Sequence, residues 1–288
     1  ETIIDKNLRC IKSIQTPNNQ TPLFNGGTED DLEQFNRFFD DLNYKSKDKK
    51  NMIGGIHAFR IRNNAIFFDV GEPPKKDFSS SYQSGPLSFE YYLDGEKIIT
   101  NCGFGSRIST KAELLSRLTS AQSTLTLDNT SVTKFERNKL FNRIFGNSIK
   151  DTFKINSLDF TEDKNEVKFI ASHNGYEKKF GCVHKRELSI DKVNGKLTGC
   201  DEITKKENGR PVNYNLRFHL YPGLTAVKTM GGNSVLIQIS KNKSLIFTII
   251  NGSILLEKSI FLGRNKILDN TCVTVSGNLV NKNQIIHW

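Results

Sequence analysis

Residues 58–70 read Ala-Phe-Arg-Ile-Arg-Asn-Asn-Ala-Ile-Phe-Phe-Asp-Val, and residues 87–100 read Leu-Ser-Phe-Glu-Tyr-Tyr-Leu-Asp-Gly-Glu-Lys-Ile-Ile-Thr. The first stretch alternates apolar with polar residues, then runs through β-branched and aromatic ones. It predicts two strands joined by a turn at Asn63-Asn64. Gly71-Glu72-Pro73-Pro74 closes that hairpin, because proline cannot donate to a ladder. In the second stretch Asp94-Gly95 marks a tight hairpin turn between two more strands. Downstream the same texture continues. Strands are expected over 123–127, 167–170, 182–190, 213–220, 234–239, 244–250, 254–260 and 272–275, with a short helix over 111–118. Asn194-Gly195, Gly231-Gly232 and Asn251-Gly252 supply turns. Many short strands without intervening helices indicate a mostly β protein, a large antiparallel β-sandwich.

Upstream of residue 51 the period differs. Leu32, Phe35, Phe38, Phe39 and Leu42 recur at helical spacing. Thr28-Glu29-Asp30-Asp31 reads as the helix start, its acids at the positive end of the helix dipole. The run from Lys45 to Lys50 reads as a surface loop. Two regions follow: a helical segment over 1–50 and a sandwich over 51–288.

The totals narrow the function classes. The chain has 288 residues and a formal charge of +10, with 36% hydrophobic and 25% charged residues. That balance suits a globular protein with a substantial core. No apolar run approaches the ~20 residues of a membrane span. The start, ETIIDKNLRC, has neither an initiator Met nor a leader pattern, so more chain is expected before residue 1. The five cysteines lie far apart without a CxxC pair, which argues against a zinc ribbon or a disulfide framework. Basic charge favours anionic partners. It is spread along the chain, however, and nucleic-acid binding wants basic and aromatic residues clustered on one face.

Several side chains invite chemistry. His173 and Tyr176 flank Asn174-Gly175, and a tight turn there brings imidazole and phenol together at a sheet edge, with His184 nearby. A Tyr/His pair suits proton transfer; it equally suits a turn capping the core. His184 and Arg186 alternate onto one face of a strand, either as an anion clamp or as a solvated sheet face. Arg217 and His219 share a face in the same way, as a second anion contact or a polar exterior. Asp69 and Glu90 are too isolated in sequence to be paired as acid and base. No phosphate loop, nucleophile elbow or HExxH is present.

Taken in order, several segments resemble the heparinase II/III-like proteins, in particular the alphaproteobacterial type. They are Pro22 to Gly27, Phe67 to Pro74, Gly85 to Glu90 with Ile98 to Gly103, Ser120 to Leu125, Ser172 to Tyr176 with Phe180 to Arg186, and Arg217 to Pro222. The resemblance runs from about residue 8 to the end. It implies an (α/α) toroid followed by the sandwich, with only the toroid's helical tail present here. It also implies a lyase cleaving a uronic-acid-containing acidic polysaccharide, such as a glycosaminoglycan, by β-elimination. The family's Tyr/His/Asn machinery comes largely from the missing N-terminal toroid, so this chain by itself is expected to be an incomplete enzyme. A bacterial periplasm or cell envelope is the compartment the family suggests.

The sequence departs from the family at its zinc site. The ligand positions fall on Gln83, Asn101 and Gln122, and a further family histidine falls on Ser81. Zinc takes imidazole, thiolate or carboxylate ligands, so three neutral amides predict no bound metal and a polar network in its place. Tyr82, beside that position, either stacks on a sugar ring or packs onto the sandwich. From the clustering described above, His173, Tyr176 and His184 are the catalytic candidates of this chain. Tyr82, Arg186, Arg217 and His219 are its substrate-binding candidates. The alternative function is a non-catalytic carbohydrate-binding or scaffolding sandwich.

Overall fold

The computed structural model describes residues 2–43, 51–136, 147–206 and 210–288; the basic run from Lys45 to Lys50, read as a surface loop, lies outside them. Helix α1 (Ile3–Ile14) comes first, capped by a reciprocal pair in which the Asp5 N–H donates to the Thr2 hydroxyl and the Thr2 N–H donates to the Asp5 carboxylate, each at 3.1 Å. Helix α2 (Glu33–Asp41) carries the predicted apolar spacing. It begins at Glu33 and not at Thr28, because the acidic run before it is used otherwise, as described below.

The first nine strands are β1 (Met52–Ile53), β2 (Ile56–Ile61), β3 (Asn64–Asp69), β4 (Phe89–Leu93), β5 (Glu96–Thr100), β6 (Leu125–Leu127), β7 (Ile155–Glu162), β8 (Glu166–His173) and β9 (Cys182–Asp191). Helix α3 (Thr110–Ser116) precedes β6, and the single turn α4 (Glu177–Phe180) precedes β9. The remaining strands are β10 (Leu197–Lys205), β11 (Val212–Leu220), β12 (Thr225–Lys228), β13 (Ser234–Ser240), β14 (Lys243–Thr248), β15 (Ser253–Phe261), β16 (Leu268–Leu279) and β17 (Asn283–His287). The first hairpin turns at Arg62-Asn63, one residue earlier than read, since Ile61 pairs with Asn64. Asp94 and Gly95 both take positive φ, 51° and 86°, as a two-residue primed turn requires.

Every strand pairing among the described residues is antiparallel. A nine-stranded sheet runs β1-β2-β3-β4-β5-β11-β16-β15, with β6 also on β11; a five-stranded sheet runs β17-β10-β9-β8-β7; a three-stranded sheet runs β12-β13-β14. The two larger sheets share one core. Phe59 and Phe68 of the large sheet meet Phe169 of the five-stranded sheet edge-on, at 6.3 and 6.2 Å between centroids. Strands β7, β10, β12 and β17 carry no clean apolar alternation and were not legible in the sequence. Strand β7 is largely exposed, and β10 holds a charged residue at its buried centre.

The N-terminal segment is fastened to the large sheet by a buried charge cluster. Lys97 of β5 donates to Glu29 at 2.8 Å and lies 3.3 Å from Glu90 of β4, with all three side chains fully buried. Thr100 also donates to Glu90, at 3.0 Å, while Tyr221 and Arg264 donate to Glu29 at 2.9 and 3.1 Å. Glu29 therefore serves as an ion-pair partner under the sheet and not as helix-start charge. Removing one member of a buried pair strands the others without compensation. We expect Lys97→Met to cost about 3–5 kcal/mol, read from urea unfolding. A change below 1 kcal/mol would mean that this cluster does not secure the fold.

Candidate functional site in the sandwich interior

The residues singled out for chemistry gather around a carboxylate that the sequence did not highlight. Asp201 sits at the buried centre of β10, opposite Arg186 of β9 in register. Its Oδ1 accepts from His184 Nε2 at 2.7 Å and from Arg186 Nε at 2.8 Å. Its Oδ2 accepts from Trp288 Nε1 at 2.8 Å and from the second Arg186 nitrogen at 3.3 Å. Arg186 then reaches across the sandwich, donating to the carbonyls of Leu87 at 2.6 Å and Ser123 at 2.9 Å. Burial by itself raises a carboxyl's pKa, but Arg186 and His184 outweigh it and hold Asp201 down to about 2.

His173 extends the chain of donors. The Gly175 N–H donates to His173 Nδ1 at 3.1 Å, so the proton of His173 sits on Nε2 and is given to His184 Nδ1 at 3.2 Å. His184 then carries its own proton on Nε2, toward Asp201. Both rings are neutral in this arrangement, and burial first of all holds both below the ordinary imidazole value. His173 and Tyr176 do come together, at 5.8 Å between ring centres, but inside the core and not at an exposed sheet edge. The Tyr176 hydroxyl donates to the carbonyls of Leu125 and Thr130, at 2.9 and 3.2 Å, and burial raises its pKa. His173, Tyr176, His184 and Arg186 are each 0–1% exposed. The face shared by His184 and Arg186 is thus neither an open anion clamp nor a solvated exterior; it points into the sandwich.

The other candidates lie apart. Tyr82 is also buried, its ring in the core rather than presented to solvent. Burial raises its hydroxyl's pKa well above the ordinary value, and Asp69 adds to the rise. Asp69 itself is pushed up to about 7 by burial, which the Gly71 N–H only partly offsets. Arg217 lies half-buried on the outer side of β11, donating to Thr126 at 2.6 Å and Asn129 at 3.2 Å. His219 lines a cavity of about 340 Å³ with Cys102, Ser116 and Ser259. Its Nε2 donates to the Ser120 carbonyl at 3.1 Å, and its Nδ1 accepts from Ser259 at 2.9 Å. Burial lowers it to about 4, which makes it a weak base at neutral pH.

The three amides at the family's metal positions do not bond one another. They bind main chain. Gln83 Nε2 donates to the carbonyls of Ser116 at 2.9 Å and Gly103 at 3.1 Å, and its Oε1 accepts from the Gly26 N–H at 3.0 Å. Gln122 donates to the same Ser116 carbonyl at 2.8 Å, while Asn101 accepts from the Ser123 N–H at 2.9 Å. The Cys102 thiol bonds the same two carbonyls as Gln83, and burial raises it to about 12. Neutral amides do not fit zinc. Among the described residues no group of three or more His, Cys, Asp or Glu is placed to hold a metal.

Comparison with known proteins places this geometry. The model of the family described as "Heparinase II/III-like, C-terminal" matches residues 46–288. The chain is 26% identical over 200 residues to "FtsZ-localized protein C" of Caulobacter vibrioides, covering 65% of this chain and 33% of that protein. Among solved structures it resembles the heparan sulfate lyase HepC from Pedobacter heparinus, with a TM-score of 0.72 at 17% identity, covering 96% of this chain and 44% of that one. A heparinase III structure gives 0.69 at 14% identity, covering 98% and 47%. The chain thus spans a third of that curated relative and less than half of those enzymes. Likeness at such identities shows the shared fold.

Two outcomes follow from the site. Chain equilibrated with zinc and then desalted should retain well under one zinc ion per molecule by elemental analysis; a stoichiometric ion would contradict the reading of the amide positions. The histidines bear on pH. An imidazole held low in the folded state is protonated more readily in the unfolded chain. The stability it gives is complete above about pH 6.5 and is lost as pH falls toward the folded value, about 4 for His219. Asp69, pushed up to about 7, works in the opposite sense over the same range. The share of His219 is therefore read as a difference: the stability of the wild-type chain minus that of His219→Gln should grow from pH 4 to pH 6.5. A constant difference would mean that His219 is not held neutral by burial.

Proposed function

We propose, from the premise that this chain belongs to the heparinase II/III-like C-terminal family, that it is the non-catalytic sandwich module of a larger protein acting on an acidic polysaccharide. In this reading the module engages the polymer with its basic surface. Any β-elimination by the whole protein draws its base and its carboxylate-neutralising groups from outside the residues described. One observation carries the reading: the catalytic candidates His173, Tyr176 and His184 are buried and bonded to protein partners. A base must reach the proton it removes, directly or through one water, and these groups face the core. The formal charge of +10 supplies the attraction for a polyanion.

A second reading, a scaffolding module, is favoured by a different observation. The curated relative at 26% identity is named for its localisation with FtsZ and not for a lyase activity. The two readings part on polymer binding. The chain, mixed with heparan sulfate, is expected to bind with an affinity that falls at least about tenfold between low and physiological salt, because screening shortens the reach of surface charge. It is expected to generate no ultraviolet absorbance from unsaturated uronate. Product formation that disappears in His184→Ala would refute the non-catalytic reading, and absence of any salt-sensitive binding would favour the scaffold.

A further inference from the structure

A cavity of about 810 Å³ forms a slot between two sheets that share no strand. One wall is the beginning of β10, the other is β14, and Trp288 closes one end. The floor is apolar, with Ile98, Ile99, Phe218 and Leu220 among its residues.

The walls are strand edges. Strand β17 pairs with β10 only over Cys200–Thr204, and past it Gly199 exchanges both main-chain bonds with Trp288, at 2.9 and 3.0 Å. In an antiparallel ladder the bonding side alternates from residue to residue. Leu197, two residues from Gly199, therefore turns its N–H and C=O to the same side, where β17 has ended. The opposite wall obeys the same rule. The Ile249 N–H bonds Asn233 beside β13, and the Ile250 N–H bonds the His287 carbonyl on the other side. Ser244, Ile246 and Thr248 thus direct their main-chain groups away from β13, along an edge of the three-stranded sheet that pairs with no further strand among the described residues. Trp288 bonds Gly199 of β10, and the carbonyl of its neighbour His287 accepts from Ile250, just past β14, so the end of β17 lies between the two walls and the slot continues its line.

We propose that this slot receives an extended segment of a partner polypeptide as an added strand, in line with β17 and bonded to β10 on one side and β14 on the other. The six residues of β14 span roughly 20 Å at ~3.3 Å per residue, which is room for about six residues of partner. Side chains at alternate positions meet the apolar floor, and those between face water. Exposed Lys196 at the rim and the chain's net positive charge favour acidic flanks. This interaction is independent of the polysaccharide reading and needs neither lyase activity nor a polymer.

Trp288 is the single tryptophan of the chain and lines the slot, so its fluorescence reports occupancy. The probe is a synthetic hexapeptide of alternating valine and threonine with an aspartate at each end. A second peptide has the same side chains but N-methylated amides at alternate positions. We expect a saturable change in Trp288 emission with the first peptide and binding at least about tenfold weaker with the second. Leu197→Pro, which removes a wall N–H without touching the bonds to β9, should weaken the first peptide similarly. Equal binding of both peptides would overturn strand addition, leaving contact with the apolar floor alone. No binding up to millimolar peptide would overturn the proposal. A response to laurate but not to either peptide would mark the slot as a lipid pocket and overturn it too.

Discussion

A carboxylate with no access to water needs its charge answered within the protein. For Asp201 the answer comes from three directions at once. His184 and Arg186 approach from the neighbouring strand and Trp288 from the end of the chain, and together they occupy both oxygens. Arg186 carries the constraint across the core to carbonyls at Leu87 and Ser123, beside the large sheet. A one-residue slip of β9 against β10 would turn Asp201 or its donors to the wrong face, with an uncompensated charge left inside. The network therefore fixes register in the five-stranded sheet and couples it to its partner sheet.

The same constraint decides what the polar residues do. His173 would be a plausible proton-transfer group in an open cleft. Here its two nitrogens are committed, one accepting from Gly175 and one donating to His184. Of the amides at the family's metal positions, Gln83 and Gln122 hold the Ser116 carbonyl, Gln83 also holds that of Gly103, and Asn101 accepts from the Ser123 N–H. Interior polar groups whose bonds are made inside the protein give a sheet its definition.

Two further features share this logic from opposite ends. The Lys97 cluster shows how the N-terminal segment is joined to the large sheet: Glu29 enters a site already holding Glu90 and Lys97, and both carboxylates share the ammonium. The slot beside Trp288 is the converse, with strand edges whose main-chain groups face an apolar cavity without a strand between them. Edges of this kind invite pairing.

Much of the sandwich was readable in the sequence. Tyr214, Leu216, Phe218 and Leu220 alternate toward the core as a strand should, and Asp94-Gly95 makes its hairpin turn for local backbone reasons. Strand β10 was not legible, because a Gly-Cys-Asp-Glu centre reads as a loop until its partners are in place. Alternation likewise put His184 and Arg186 on one face but left open which way that face points. The side was decided by Asp201, 15 residues beyond Arg186 along the chain and opposite it in register. By itself the sequence determined period and turn positions to within a residue or so, since these depend on neighbours a few residues apart, and the order of its segments carried the family likeness. Only the tertiary structure decided which charges are buried and satisfied, because that depends on partners brought together from distant strands.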